Sequence, residues 1–213
     1  MKLVRFGAAG AEKPGLIDAS GTLRNLSDQV SDIAGATLSD ISLDRIRGLD
    51  TADLPAVPGN PRLGACVGAV GKYVCIGLNY SDHAAEANMP IPEEPIIFFK
   101  ATSSISGPND DIILPKDSQK VDWEVELCIV IGKEARYVPE SDALDHVAGY
   151  CVANDVSERH FQLERSGQWV KGKSADSFGP IGPWLVTRDE IPDPQTLGMW
   201  LDVDGERHQK GST

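Results

Sequence analysis

No stretch of this 213-residue chain approaches the ~20 consecutive apolar residues that a bilayer-spanning helix needs. Its first residues, Met1-Lys2-Leu3-Val4-Arg5-Phe6-Gly7, lack the apolar core of a signal peptide and read as a strand. Basic residues are in short supply: 20 Lys and Arg against 32 Asp and Glu leave a formal net charge of −12. A domain this acidic is a poor partner for nucleic acid or anionic membranes. An anionic small substrate stays open to it, because a bound metal reverses the local field. Cysteine pairs are missing as well. Cys66, Cys75, Cys128 and Cys151 offer no CxxC spacing. That argues against a zinc site or disulfides, and for buried free thiols in a reducing cytoplasm. There is no internal repeat and no low-complexity segment.

What the chain does have is an acidic strand. Asp122 to Val130 alternates: Trp123, Val125, Leu127 and Ile129 point one way, Asp122, Glu124, Glu126, Cys128 and Val130 the other. Glu124 and Glu126 then stand side by side, about 7 Å apart along the strand. Such a pair is cheap only if its face is wet or a cation neutralises it. A solvated edge strand is one reading. The other is an all-oxygen site, which suits Mg²⁺, Mn²⁺ or Ca²⁺ better than zinc.

Residues 1–58 read as a small N-terminal module: strands around Val4–Phe6, Gly15–Ile17 and Gly21–Leu23, then a helix over Ser39–Leu49 with Ile41, Leu43, Ile46 and Leu49 near one face. Pro55, Pro58, Gly59, Pro61 and Gly64 make a linker to a main domain, 65–213. Strands are expected at Tyr73–Gly77, Ile96–Lys100, Asp111–Leu114, Asp122–Ile131, Gly149–Val156, Gly182–Thr187 and Leu197–Val203, with a hairpin turn at Asp204-Gly205. Short helices are expected over Asn79–Ala87, Ser141–Val147 (capped by Ser141) and Glu158–Arg165. No long helix separates the strands, so a doubly wound parallel sheet does not fit. The fold class read here is α+β and β-rich, a mixed roll or barrel behind a small N-terminal α/β module. The last hairpin breaks off at Gly211-Ser212-Thr213, so the chain is expected to stop short of a complete domain.

Three further clusters carry side chains suited to chemistry. In Ser81-Asp82-His83-Ala84-Ala85-Glu86, a helix would put His83 and Glu86 on one face. That makes either a carboxylate-supported base or a surface contact. Asp155 closes an apolar strand, as a metal ligand or a helix N-cap. Arg159 and Gln162, three apart, could hold a carboxylate or keto oxygen or simply face solvent. Lys171 and Lys173 lie in a segment with no helical period, where a lysine can stabilise an oxyanion.

Taken in order, these segments resemble the fumarylacetoacetate hydrolase family. The resemblance rests on Gly77-Leu78-Asn79-Tyr80-Ser81-Asp82-His83-Ala84-Ala85-Glu86, on Glu124-Val125-Glu126-Leu127, on Asn154-Asp155-Val156-Ser157-Glu158-Arg159 with Gln162, and on Gly172-Lys173-Ser174 with Phe178-Gly179-Pro180. It is close over about 70–187 and looser in the N-terminal module. It implies a metal, Mg²⁺ or Mn²⁺ with Ca²⁺ as an alternative, held by Glu124, Glu126 and Asp155. It implies that His83 and Glu86 sit on a helix or lid and activate water. Gln162 and Lys173 would bind and polarise substrate, with Arg159 beside them. It also implies a homodimer and a small keto-acid substrate. The family's late Thr-Gly-Thr-Pro loop is absent from these residues.

The activity so implied is metal-dependent hydrolysis of a C–C bond in a small 1,3-diketo acid, an acylpyruvate or a sugar-derived diketo acid, through a metal-stabilised enolate. Oxaloacetate decarboxylation, hydroxydienoate isomerisation and ureidoglycolate lyase chemistry are alternatives on the same site. A non-catalytic metal-binding protein is the rival from another class.

Overall fold

The computed structural model describes residues 1–213. The chain opens with β1 (Lys2–Phe6), β2 (Lys13–Ile17) and β3 (Leu23–Asn25), an antiparallel meander. α1 (Asp40–Arg47) follows, capped by Ser39, whose Oγ accepts the Ser42 N–H. Beyond the linker come β4 (Tyr73–Gly77), α2 (Ser81–Glu86), β5 (Ile96–Lys100), β6 (Ile105–Ser106), β7 (Val121–Asp122) and β8 (Val125–Ile131). Next are β9 (Val147–Asn154), β10 (Ser157–Glu158), a π-helical turn at His160–Glu164, α3 (Val170–Lys173) and β11 (Gly179–Thr187). The hairpin of β12 (Gly198–Val203) and β13 (Glu206–Ser212) turns at Asp204-Gly205, both at positive φ. No helix is long and apolar enough to cross a membrane.

The main sheet runs β3-β2-β1-β11-β9-β8, and β6 joins β11 as the parallel exception. β1 lies between β2 and β11, so both of its edges are paired, and successive residues Leu3 and Val4, which point to opposite faces, are both fully buried. One apolar cluster spans the sheet. Leu3, Leu16, Leu26, Ile33, Leu43 and Ile46 meet Val130, Ala148, Cys151, Ala153, Ile181 and Leu185 in it. Each large side chain buried there stabilises the fold by about 1.5–3 kcal/mol.

Several expectations are corrected. The sheet does not close into a barrel. β8 and β3 end the sheet and do not meet, β3 being flanked instead by residues 55–57 through the Asn25 N–H to the Pro55 carbonyl and the Val57 N–H to the Leu23 carbonyl, while β4–β5 and β12–β13 form separate hairpins. The architecture is a mixed, sheet-dominated α/β one. Asp111–Leu114 forms no strand; its Ile113 N–H goes to the Ser177 hydroxyl instead of to a ladder. The acidic strand is broken at Trp123-Glu124, with β7 pairing β10 and β8 pairing β9. Ser141 lies inside a 3₁₀ segment, Glu140–His146, and does not cap it. Ile41 faces solvent on α1, leaving Leu43 and Ile46 to the core. Lys171 and Lys173 lie on α3, not on an irregular loop. All four cysteines are free thiols, but only Cys66 and Cys151 are buried; Cys75 and Cys128 are partly exposed.

Candidate active site

The break in the acidic strand positions Glu124. Its N–H donates to Asn154 Oδ1 at 3.1 Å and its carbonyl accepts the Asp155 N–H at 2.9 Å. Glu124 and Asp155 are therefore locked together where β9 ends. Glu126 sits two residues on in β8, opposite Ala153. Lys173 arrives from α3, and the preceding residue explains how. A Cβ on Gly172 would collide with the Glu158 carbonyl oxygen and stand 2.7 Å from the Gln162 nitrogen. Only glycine lets α3 press onto the β10 and π-helical segment. Lys100 closes β5, where Phe98 and Lys100 face inward and Ile97 and Phe99 outward.

These side chains form a chain of alternating charge. Lys100 Nζ donates to Asp155 Oδ1 at 2.6 Å and to the Val156 carbonyl at 3.0 Å. Lys173 Nζ donates to Asp155 Oδ2 at 2.8 Å and to Glu124 Oε2 at 2.7 Å. Arg159 donates to Glu124 Oε1 at 2.6 Å and to Asp122 Oδ2 at 2.8 Å. Both lysine side chains are buried, Lys100 at 0% and Lys173 at 3% exposure. Burial alone would raise the Asp155 carboxyl, but Lys100 and Lys173 beside it hold it below the usual range. At Lys100 the balance reverses, and burial pushes the ammonium below its ordinary value despite Asp155.

Glu126 is the carboxylate without a cationic partner. Burial pushes it up to about 8; the Tyr80 phenol offsets part of this, and the charges of Glu124 and Asp155 add to it. The donor set of Glu124, Glu126 and Asp155 is all oxygen, which suits a hard divalent cation. As they stand, the residues gather into no group of three metal ligands. The Lys173 ammonium stands between Glu124 and Asp155, bonded to both. The raised Glu126 value has a signed consequence. The folded state holds this proton more tightly than the unfolded chain, whose ordinary value is 4.5. Its contribution to stability is full below pH 4.5 and is lost as pH rises to about 8. Metal-free wild type should therefore lose thermal stability relative to Glu126→Gln between about pH 5 and about pH 8.5. Parallel melting curves across that range would refute the assignment.

Arg159 and Gln162 are brought to this network. Arg159 is tied to Asp122 and Glu124, and it also donates to Gln162 Oε1 at 3.1 Å, leaving the buried Gln162 amide its own donors. Glu158, quoted in the sequence motif without a role, organises both. Its fully buried carboxylate accepts N–H groups from Gln119 at 3.0 Å, Lys120 at 2.6 Å and Phe161 at 2.6 Å. Burial alone would raise it, but these donors hold it below its ordinary 4.5. Glu158→Gln should cost about 1–3 kcal/mol in urea unfolding at neutral pH. The difference from wild type should vanish as pH falls through the depressed value; a pH-independent difference would contradict this.

His83 and Glu86 stand apart from the network. They share a face of α2 with Nδ1 and Oε2 4.0 Å apart, at 51% and 86% exposure, and neither bonds the buried carboxylates. Tyr80 links the two regions: its hydroxyl accepts the Leu127 N–H at 3.1 Å and lies beside Glu126. Gln209 of the final hairpin accepts the Val125 N–H at 2.8 Å. A cavity of about 840 Å³ opens on Glu126 and Asp155, with Tyr73, Cys75, Asn79 and Ile105 on its wall and Leu38 contributed by the N-terminal segment. Lys100 stood in none of the candidate clusters, and Asp122, Tyr80 and Glu158 stood in the acidic strand and the quoted segments without a role. Lys100 had a signal, since it lies on the inward face of an otherwise apolar strand.

Residues 72–213 match the model of the fumarylacetoacetate hydrolase C-terminal domain. A Burkholderia multivorans protein described only as a provisional hydrolase is 64% identical over all of this chain, which spans 76% of that relative. A fumarylacetoacetate hydrolase from Exiguobacterium antarcticum is 35% identical with a TM-score of 0.81, over all of this chain and 75% of that one. A 2-hydroxyhepta-2,4-diene-1,7-dioate isomerase from Mycobacterium marinum is 30% identical with a TM-score of 0.76, again over all of this chain and 75% of that one.

Proposed function

Because this chain belongs to the fumarylacetoacetate hydrolase family, we propose that it hydrolyses a C–C bond in a small 1,3-diketo acid, with acylpyruvates as the first substrates to try. The observation that carries the proposal is the buried charge chain opening on a cavity, with Glu126 left short of a cation. Glu124, Glu126 and Asp155 would hold Mg²⁺ or Mn²⁺. When bound, the ion supplies Lewis-acid stabilisation of negative charge on substrate oxygens.

The chain's own residues do the rest. His83, oriented by Glu86, takes a proton from the attacking water, and the carboxylate stabilises the imidazolium that results. Lys173 and the Gln162 amide donate hydrogen bonds to charge developing on the substrate. Arg159 holds Glu124 in place from its far oxygen. We place the protein in a reducing cytoplasm, on its four free cysteines, and expect a homodimer.

A second reading keeps the site and changes the reaction. His83 is half exposed and unconnected to the carboxylates, and one similar structure is named an isomerase. Isomerisation of a hydroxydienoate, or decarboxylation of oxaloacetate, needs no activated water. The test is a panel of acylpyruvates, oxaloacetate and hydroxydienoates offered to the full-length protein with and without Mg²⁺ or Mn²⁺. Metal-dependent loss of the diketone ultraviolet band is expected. Metal binding with no turnover of any panel member would favour the non-catalytic reading.

A further inference from the structure

We infer that Lys173 is the resident counter-ion of the carboxylate site, and that a divalent cation binds by displacing its ammonium and so releases Lys173 towards substrate. This rests on reading Glu124, Glu126 and Asp155 as metal ligands and deepens that reading.

The hydrogen bonds divide the carboxylate oxygens into two sets. Asp155 Oδ1 is tied to Lys100, which is also anchored on the Val156 carbonyl. Glu124 Oε1 is tied to Arg159, itself backed by Asp122. These two oxygens face cations that have second partners and no need to move. The other two, Asp155 Oδ2 and Glu124 Oε2, both go to Lys173 Nζ, at 2.8 Å and 2.7 Å. Together with Glu126, which has no cationic partner, they are the oxygens on offer. An ammonium and a divalent ion sharing them would repel strongly, so one excludes the other.

Beyond these two carboxylate oxygens the Lys173 ammonium has one further contact, the Phe98 ring, whose centroid lies 5.2 Å from Nζ; that weak attraction does not hold it in place once the carboxylates are taken. In the lysine-filled form the side chain is 3% exposed, so an anionic substrate has no access to it. Cation binding thus precedes substrate binding, and the ion exposes the group that completes the substrate site.

The test uses the metal alone. Calorimetric titration of full-length wild type with Mn²⁺ establishes binding. Reductive methylation with and without Mn²⁺ is then read by peptide mass at Lys173, with Lys100 as internal control. Labelling of Lys173 should rise several-fold with Mn²⁺ while Lys100 stays protected. Lys173→Met should bind Mn²⁺ about tenfold or more tightly than wild type, because the competing charge is gone. Binding by the variant alone supports displacement as well. If Mn²⁺ binds wild type while Lys173 stays protected, or Lys173→Met binds no tighter, displacement is wrong and the metal reading survives. If neither protein binds Mn²⁺, the metal reading falls and the inference with it. Should Lys173→Met fail to fold, labelling of wild type decides alone.

Discussion

Replacing Asp155 with Asn should lower the unfolding free energy by about 3–5 kcal/mol and abolish Mn²⁺ binding. Asp155 is the single carboxylate between two buried ammonium groups, Lys100 at 2.6 Å and Lys173 at 2.8 Å. The amide keeps the shape but withdraws the charge. Lys173 retains Glu124; Lys100 retains only the Val156 carbonyl. A buried cation left with a neutral partner pays its desolvation without the attraction that offset it. Urea unfolding at neutral pH measures the loss. The double variant Asp155→Asn/Lys100→Met should recover part of it, since the stranded charge is then gone. A loss below about 1 kcal/mol would mean that water reaches Lys100, contrary to its burial.

His83→Ala should lower kcat on an acylpyruvate by roughly 10²–10⁴-fold while leaving Mn²⁺ affinity and the melting temperature near those of wild type. Its imidazole is half exposed, contacts Glu86 at 4.0 Å and bonds none of the buried carboxylates, so its removal disturbs neither core nor charge chain. Glu86→Gln should act in the same direction and more weakly, because it alters the orientation and basicity of the ring without removing it. Turnover by His83→Ala at the parent rate would exclude water activation by this pair, and isomerisation or decarboxylation would take its place.

The residues that could be read from sequence were those with a periodic signal. β4 and β5 run as their apolar patterns predicted, and Ser39 caps α1 where a serine precedes an apolar period. Glu124 and Glu126 stood out as acids in an apolar strand, and Asp155 as the acid that closes one. What escaped was set by tertiary partners. Ile112, Ile113 and Leu114 look like a strand, yet Pro108 and Pro115 flank them and no neighbouring strand takes up their backbone. Closure of the sheet depends on whether β8 meets β3, which no local pattern encodes. Arg159 could be placed near the site but not assigned its partners, because Asp122 and Glu124 are separated from it by more than thirty residues of chain.

The buried charge chain sets how this protein responds to ionic strength. Lys100, Asp155 and Lys173 are buried, so diffuse screening by monovalent salt weakens them less than it weakens exposed pairs such as Arg207–Asp202 or Lys120–Glu164. The surface carries most of the −12 net charge, and its self-repulsion is relieved when counter-ions gather. Monovalent salt thus quenches repulsion and ion pairs at the surface while leaving the buried chain largely in place.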